Sequence, residues 1–127
     1  MTADSEVKIQ KLFRFQDMDI WKKAMEIGDQ LLDVADNLEH RKLFRFSEQL
    51  RAAALSISNN IAEGAGSDSP KDFAHYLNMA KRSAFENANM VMAFSRRGLL
   101  DEAWCQQTLQ ALAEECRMIS GFIKALK

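Results

Sequence analysis

Turn-forming residues are scarce in this chain: one proline, Pro70, and five glycines interrupt 127 residues. That poverty excludes a fold built from many short elements and favours long helices with few connections. Cysteine is nearly as rare. Cys105 and Cys116 lie eleven residues apart on one predicted helix, about 16 Å along its axis. A disulfide needs Cα atoms within roughly 7 Å, so the pair reads as two small apolar residues in a reducing compartment. No apolar run approaches the ~18–20 residues of a membrane span. The first residues, MTADSEVKIQK, are polar and mixed in charge rather than signal-like. We therefore expect a cytoplasmic protein with no membrane partner. A surplus of one charge is also missing: 17 basic against 18 acidic residues leave a net charge of −1. Nothing global drives the chain toward nucleic acid or an anionic surface.

What is present is helical periodicity, with no alternating strand pattern. One domain is expected at this length: a flexible tail over 1–14 and a helical domain over 15–127. The first helix starts near Asp17 or Asp19 and carries Trp21, Ala24, Gly28, Leu31, Ala35 and Leu38 on one face. A connector over 39–42 leads to a second helix with a core line through Leu43, Phe46, Leu50, Ala54, Ile57 and Ile61. Ser69-Pro70-Lys71-Asp72 is the clearest start signal, a capping serine with proline at the first helical position. Asp101 opens the fourth helix, whose apolar line is read as Cys105, Leu109, Leu112, Ala113, Cys116 and Ile119. The fold class is all-α, an up-and-down four-helix bundle.

The second helix departs from the usual pattern. Ala52 to Ala62 (AAALSISNNIA) contains no ionisable side chain, whereas a helix facing water keeps a charged stripe. Ala52, Leu55, Asn59 and Ala62 occupy the back, where Lys and Glu would normally sit. This predicts a helix enclosed between its own bundle and another copy of the chain.

Chemistry-bearing patterns are weak. Glu63-Gly64-Ala65-Gly66-Ser67 is glycine-rich but follows a helix and lacks the spacing and lysine of a phosphate loop. Asp72 and His75 have carboxylate-x-x-His spacing. A di-metal bundle needs that pair twice, with two further carboxylates, so no cofactor or metal is assigned. Glu63 with Glu86 could form an acid/base couple. The alternative is a structural polar network of Gln49, Ser56, Asn60, Glu63, Ser83, Glu86 and Asn87, which buried groups would need to satisfy one another. The network is the preferred reading, and no catalytic residue is assigned.

Basic residues gather as Arg41, Lys42, Arg45 and Arg51, then Lys81-Arg82 and Arg96-Arg97. On one chain they read as a solvated face; repeated around a ring they could hold phosphate backbone cooperatively. The aromatics Trp21, Phe73, Tyr76, Phe94 and Trp104 sit at core spacing rather than among them, which argues against stacking on bases.

Three blocks resemble one family. They are Phe15-Gln16-Asp17-Met18-Asp19-Ile20-Trp21-Lys22-Lys23-Ala24, the segment Gln49 to Gly64 with Ser56-Ile57 and Asn60-Ile61-Ala62-Glu63-Gly64, and the Phe73…Leu77…Ala80…Ser83-Ala84…Glu86 spacing. They are similar to the four-helix-bundle proteins encoded within bacterial 23S rRNA intervening sequences, over about residues 15–126. The resemblance implies a homopentameric ring, no known catalytic activity, and a structural role for Ser56, Asn60, Glu63 and Gly64. The expected function is a non-enzymatic homo-oligomeric scaffold or adaptor associated with ribosomes or ribosomal RNA. The alternative comes from a distant relative in fold: a nucleic-acid-binding accessory protein that partners a reverse transcriptase in a diversity-generating retroelement.

Overall fold

The computed structural model describes residues 8–126. Residues 1–7 of the expected tail, and Lys127 of the expected domain, lie outside that range. A 3₁₀ turn, Arg14–Asp17, precedes α1, Asp19–His40. Then come α2, Phe44–Ala54; α3, Ser56–Ala65; α4, Pro70–Arg96; and α5, Glu102–Ala125. No strand occurs among the described residues. The short turns join sequential neighbours: α1 packs on α2 and α3, α3 on α4, α4 on α5, and α5 returns to α1. The fold is all-α, a bundle of four helices in which α2 and α3 together make the second.

Helix starts follow local chemistry. Ser69 Oγ accepts the Asp72 N–H at 3.3 Å with Pro70 inside the first turn, and Asp101 Oδ2 accepts the Trp104 N–H at 3.0 Å. The expected cap of α1 is different: its N-cap is Met18, and Asp17 instead pairs with Lys11 at 2.9 Å. That ion pair holds the Asp17 carboxyl below its usual range, through the Lys11 hydrogen bond first. Residues 10–14 are held locally. Gln16 Oε1 accepts the N–H groups of Leu12 and Phe13, both at 2.8 Å. Arg14 lies over the Phe73 ring and donates to the Ala65 carbonyl at 2.6 Å, at the end of α3 where carbonyls lack helical partners.

The core runs through Ile27, Leu31 and Leu38 of α1, Leu50, Ile57 and Ile61 of the second helix, Leu77 and Val91 of α4, and Leu112 and Ile119 of α5. The sequence reading of α5 needs correction. Its buried stripe is Cys105, Thr108, Leu112, Glu115 and Ile119, while Ala113 is exposed and Leu109 and Cys116 are only half-buried. The 3–4 spacing is kept, but rotated so that a threonine and a glutamate point inward.

The second helix is also not continuous. It breaks at Leu55, with φ −100° and ψ −5°. No proline or glycine causes this. The Ala53 carbonyl accepts from Ser56 Oγ at 2.7 Å and from Asn87 Nδ2 of α4 at 3.1 Å, which gives it partners outside the helical ladder. On the other side a β-carbon at Gly28 of α1 would come within 2.9 Å of the Ala54 carbonyl oxygen. Glycine there lets the two backbones touch at the break.

Candidate functional site

The charge-free segment straddles this break. Its inner residues, Ala53, Ala54, Ile57, Ser58 and Ile61, are buried, while Ala52, Leu55 and Asn59 are exposed and Ala62 is half-buried. Leu55, 40% exposed, stands at the apex. One surface of the single chain is therefore neutral and partly apolar without being covered.

The proposed polar network is only partly assembled. Asn60 Nδ2 donates to the Ser56 carbonyl at 2.8 Å and meets Ser83 Oγ at 3.5 Å, which links α3 to α4. Asn87 donates to the Ser83 and Ala53 carbonyls. Gln49, Glu63 and Glu86 are exposed and stand outside these bonds. The expectation of a buried network is thus corrected to four residues, Ser56, Asn60, Ser83 and Asn87. The cause is geometric: at their helix positions the three longer side chains reach water. Asn60, Met79, Arg82, Ser83 and Glu86 line an open cleft of about 400 Å³ beside it. Gly64, in the last turn of α3, is buried against α4; a β-carbon there would lie 2.7 Å from Tyr76 Cβ.

Sequence reasoning missed Glu115. It is fully buried, and neither carboxylate oxygen has a hydrogen-bond partner. Burial pushes its pKa up to about 8, against the pull of Lys23 on α1. Lys23 itself pairs loosely with the neighbouring Glu114 at 3.6 Å.

The basic residues divide. Arg51 is committed to the bundle, bound to Asp36 at 2.6 Å, Glu39 at 2.9 Å and Ser47 Oγ at 2.8 Å. Lys81 and Arg82 lie mid-way along α4. Arg41, Lys42, Arg45, Arg96 and Arg97 are all exposed and come together at one pole, where the α1–α2 and α4–α5 turns meet. Arg41 donates to the Leu99 carbonyl across the turns at 3.1 Å, and Phe46 packs edge-on against Phe94 at 5.3 Å just beneath. The reading of the aromatics also needs correction here. Phe44 is 56% exposed and stands between Lys42 and Arg45, so an aromatic ring does interleave with the basic residues.

Asp72 and His75 are exposed, with His75 edge-on to Tyr76. Among the described residues no three His, Cys, Asp or Glu side chains cluster as metal ligands would. Among the same residues no helix is long and apolar enough to cross a membrane.

Together these features define a class: an all-helical bundle with an uncovered neutral face and one basic pole. The chain belongs to the 23S rRNA-intervening sequence protein family, whose model matches residues 16–121. A crystal structure of a protein of unknown function from the S23 ribosomal protein family of Bacteroides thetaiotaomicron VPI-5482 shares the fold. It is 23% identical, with a TM-score of 0.77, over 83% of this chain and 98% of that one. No curated protein matches the chain.

Proposed function

We propose that this protein is a non-enzymatic scaffold or adaptor whose copies assemble through the neutral face of α2 and α3. One observation carries the reading: Ala52, Leu55 and Asn59 face solvent in the single chain, within eleven residues that hold no charge. Exposed neutral helix faces are the usual material of subunit contacts. Such a face sits on one side only, so closed assembly requires either a twofold pair or a ring. A ring of five is what the family resemblance implies, and ribosomal RNA is the partner we propose for it.

Sedimentation equilibrium tests the assembly. The wild-type chain is expected as an oligomer at micromolar concentration. Leu55→Glu is expected as a monomer with unchanged helical circular dichroism, since Leu55 is not part of the core. A monomeric wild-type chain overturns the proposal, and so does an unaltered Leu55→Glu oligomer.

A further inference from the structure

Helices α1 and α4, which do not touch each other, end at the same basic pole and in the same way. At the end of α4 the Gly98 N–H donates to the Ser95 carbonyl and the Leu99 N–H to the Phe94 carbonyl, with Gly98 at φ +70°. At the end of α1 the Lys42 N–H donates to Glu39 and the Leu43 N–H to Leu38, with Lys42 at φ +63°. Both are the paired carbonyl closure that calls for a left-handed residue just past the helix, a place glycine fills without strain. The molecule thus contains its own comparison: glycine in one turn, lysine in the equivalent position of the other. Lys42 is the single non-glycine residue with positive φ among those described. Strain kept at one residue is a sign of use for its side chain.

What surrounds Lys42 says what that use is. Arg41 and Arg45 flank it along the chain, and Arg96 and Arg97 at the end of α4 are exposed at the same pole, in a chain whose net charge is −1. Of the acids at this pole, Glu39 binds Arg51 and Asp101 caps α5, while Glu48 and Glu102 are exposed. Helix α2 begins at this pole with no side-chain cap and no acid in its first turn, so its free N–H groups also favour an anion. Phe44, the first residue of α2, offers a largely exposed ring between Lys42 and Arg45. Cations that track phosphates, with an open aromatic face on which a base can lie, are the parts of a single-strand site. An acidic peptide would use the cations and leave the ring idle.

We propose that the pole built from the α1–α2 and α4–α5 turns binds single-stranded nucleic acid, with Lys42 and its arginine neighbours on the phosphates and a base stacked on Phe44. This rests on the RNA partner proposed above and names the surface that would hold it; the site is complete within one chain and does not depend on the assembly through α2 and α3.

Fluorescence anisotropy with a short single-stranded RNA, the matching DNA strand, an RNA duplex and polyglutamate tests it. Lys42→Gly is expected to melt at a higher temperature than wild type and yet bind the single strand several-fold more weakly. Its log affinity should fall less steeply with log salt, the slope shrinking by about 0.7. Phe44→Ala is expected to lose roughly tenfold on single strands and little on the duplex. Lys71→Gln, at the opposite pole, controls for net charge and is expected to bind as wild type. Should Lys42→Gly not be obtained folded, Lys42→Asn serves, because asparagine tolerates the same backbone. Wild-type affinity in both the position-42 and Phe44→Ala variants overturns the proposal, as does a loss in Lys71→Gln equal to theirs. Equal binding of polyglutamate that is also indifferent to Phe44→Ala overturns it in favour of an acidic protein partner.

Discussion

Asn87 on α4 donates through Nδ2 to the Ala53 carbonyl at 3.1 Å, one residue short of the last residue of α2. The same amide group also donates to Ser83 within α4 at 2.8 Å. A buried side chain of one helix thereby holds open the break in another.

Replacing Asn87 by alanine removes both bonds and leaves the Ala53 carbonyl with its local partners, the Ser56 hydroxyl and the Leu55 N–H. We expect a loss of about 1–3 kcal/mol, the usual effect of stripping a buried polar partner. Urea unfolding monitored by circular dichroism reads it. Amide exchange at residues 56–58, beside the break, should accelerate more than exchange in α5.

Glu115 makes stability depend on pH in a direction opposite to most carboxylates. Its pKa is about 8 in the folded chain, raised by burial, against an ordinary 4.5. Between those two values the folded state holds one more proton than the unfolded state. Stability therefore falls as pH rises through that window, at up to about 1.4 kcal/mol per pH unit. Below 4.5 and above 8 this group contributes no slope. Glu115→Gln should flatten the melting temperature between pH 5 and 8 and be the more stable protein at pH 8. A wild-type curve flat over that range would remove Glu115 from this role.

Glycines that look alike in the sequence should respond oppositely to alanine. At Gly64 a β-carbon would meet Tyr76 Cβ at 2.7 Å and Phe73 Cδ1 at 2.9 Å. Overpacking of this kind costs roughly 1–3 kcal/mol, so Gly64→Ala should melt well below wild type. Gly121, exposed within α5, has nothing within 4 Å of such a carbon. There Gly121→Ala should gain about 0.5–1 kcal/mol from helix propensity. Differential scanning calorimetry on the two variants separates them.

The helices were legible where local chemistry decides. Ser69-Pro70 and Asp101 announce their starts because capping is a matter of adjacent residues. The core line of α1 was legible because apolar residues recur there at helical spacing. In α5 that rule failed. Leu109, Ala113 and Cys116 attracted the apolar line, whereas packing places Thr108 and Glu115 inside, and no sequence rule ranks a glutamate above a cysteine for burial. The break at Leu55 was not legible either. Its causes, the Asn87 amide and the absent side chain of Gly28, come from two other helices. Phe44 was passed over because Phe46 two residues later fits the core line and does enter it. The left-handed backbone at Lys42 has no local signal at all, since lysine is a residue that ordinarily avoids it.

The family match begins at residue 16, yet Arg14 closes the end of α3 through the Ala65 carbonyl at 2.6 Å and reaches the Ser67 carbonyl at 3.3 Å. A version trimmed at residue 16 would keep α1 to α5 and discard the guanidinium that ties off one of them. Its α3 would fray from the Ala65 end, next to the Ser69 cap that begins α4. Gene fusions and shortened expression forms of this protein should accordingly start upstream of residue 10, so that the Gln16 clasp on the preceding strand of backbone is carried along with the arginine it positions.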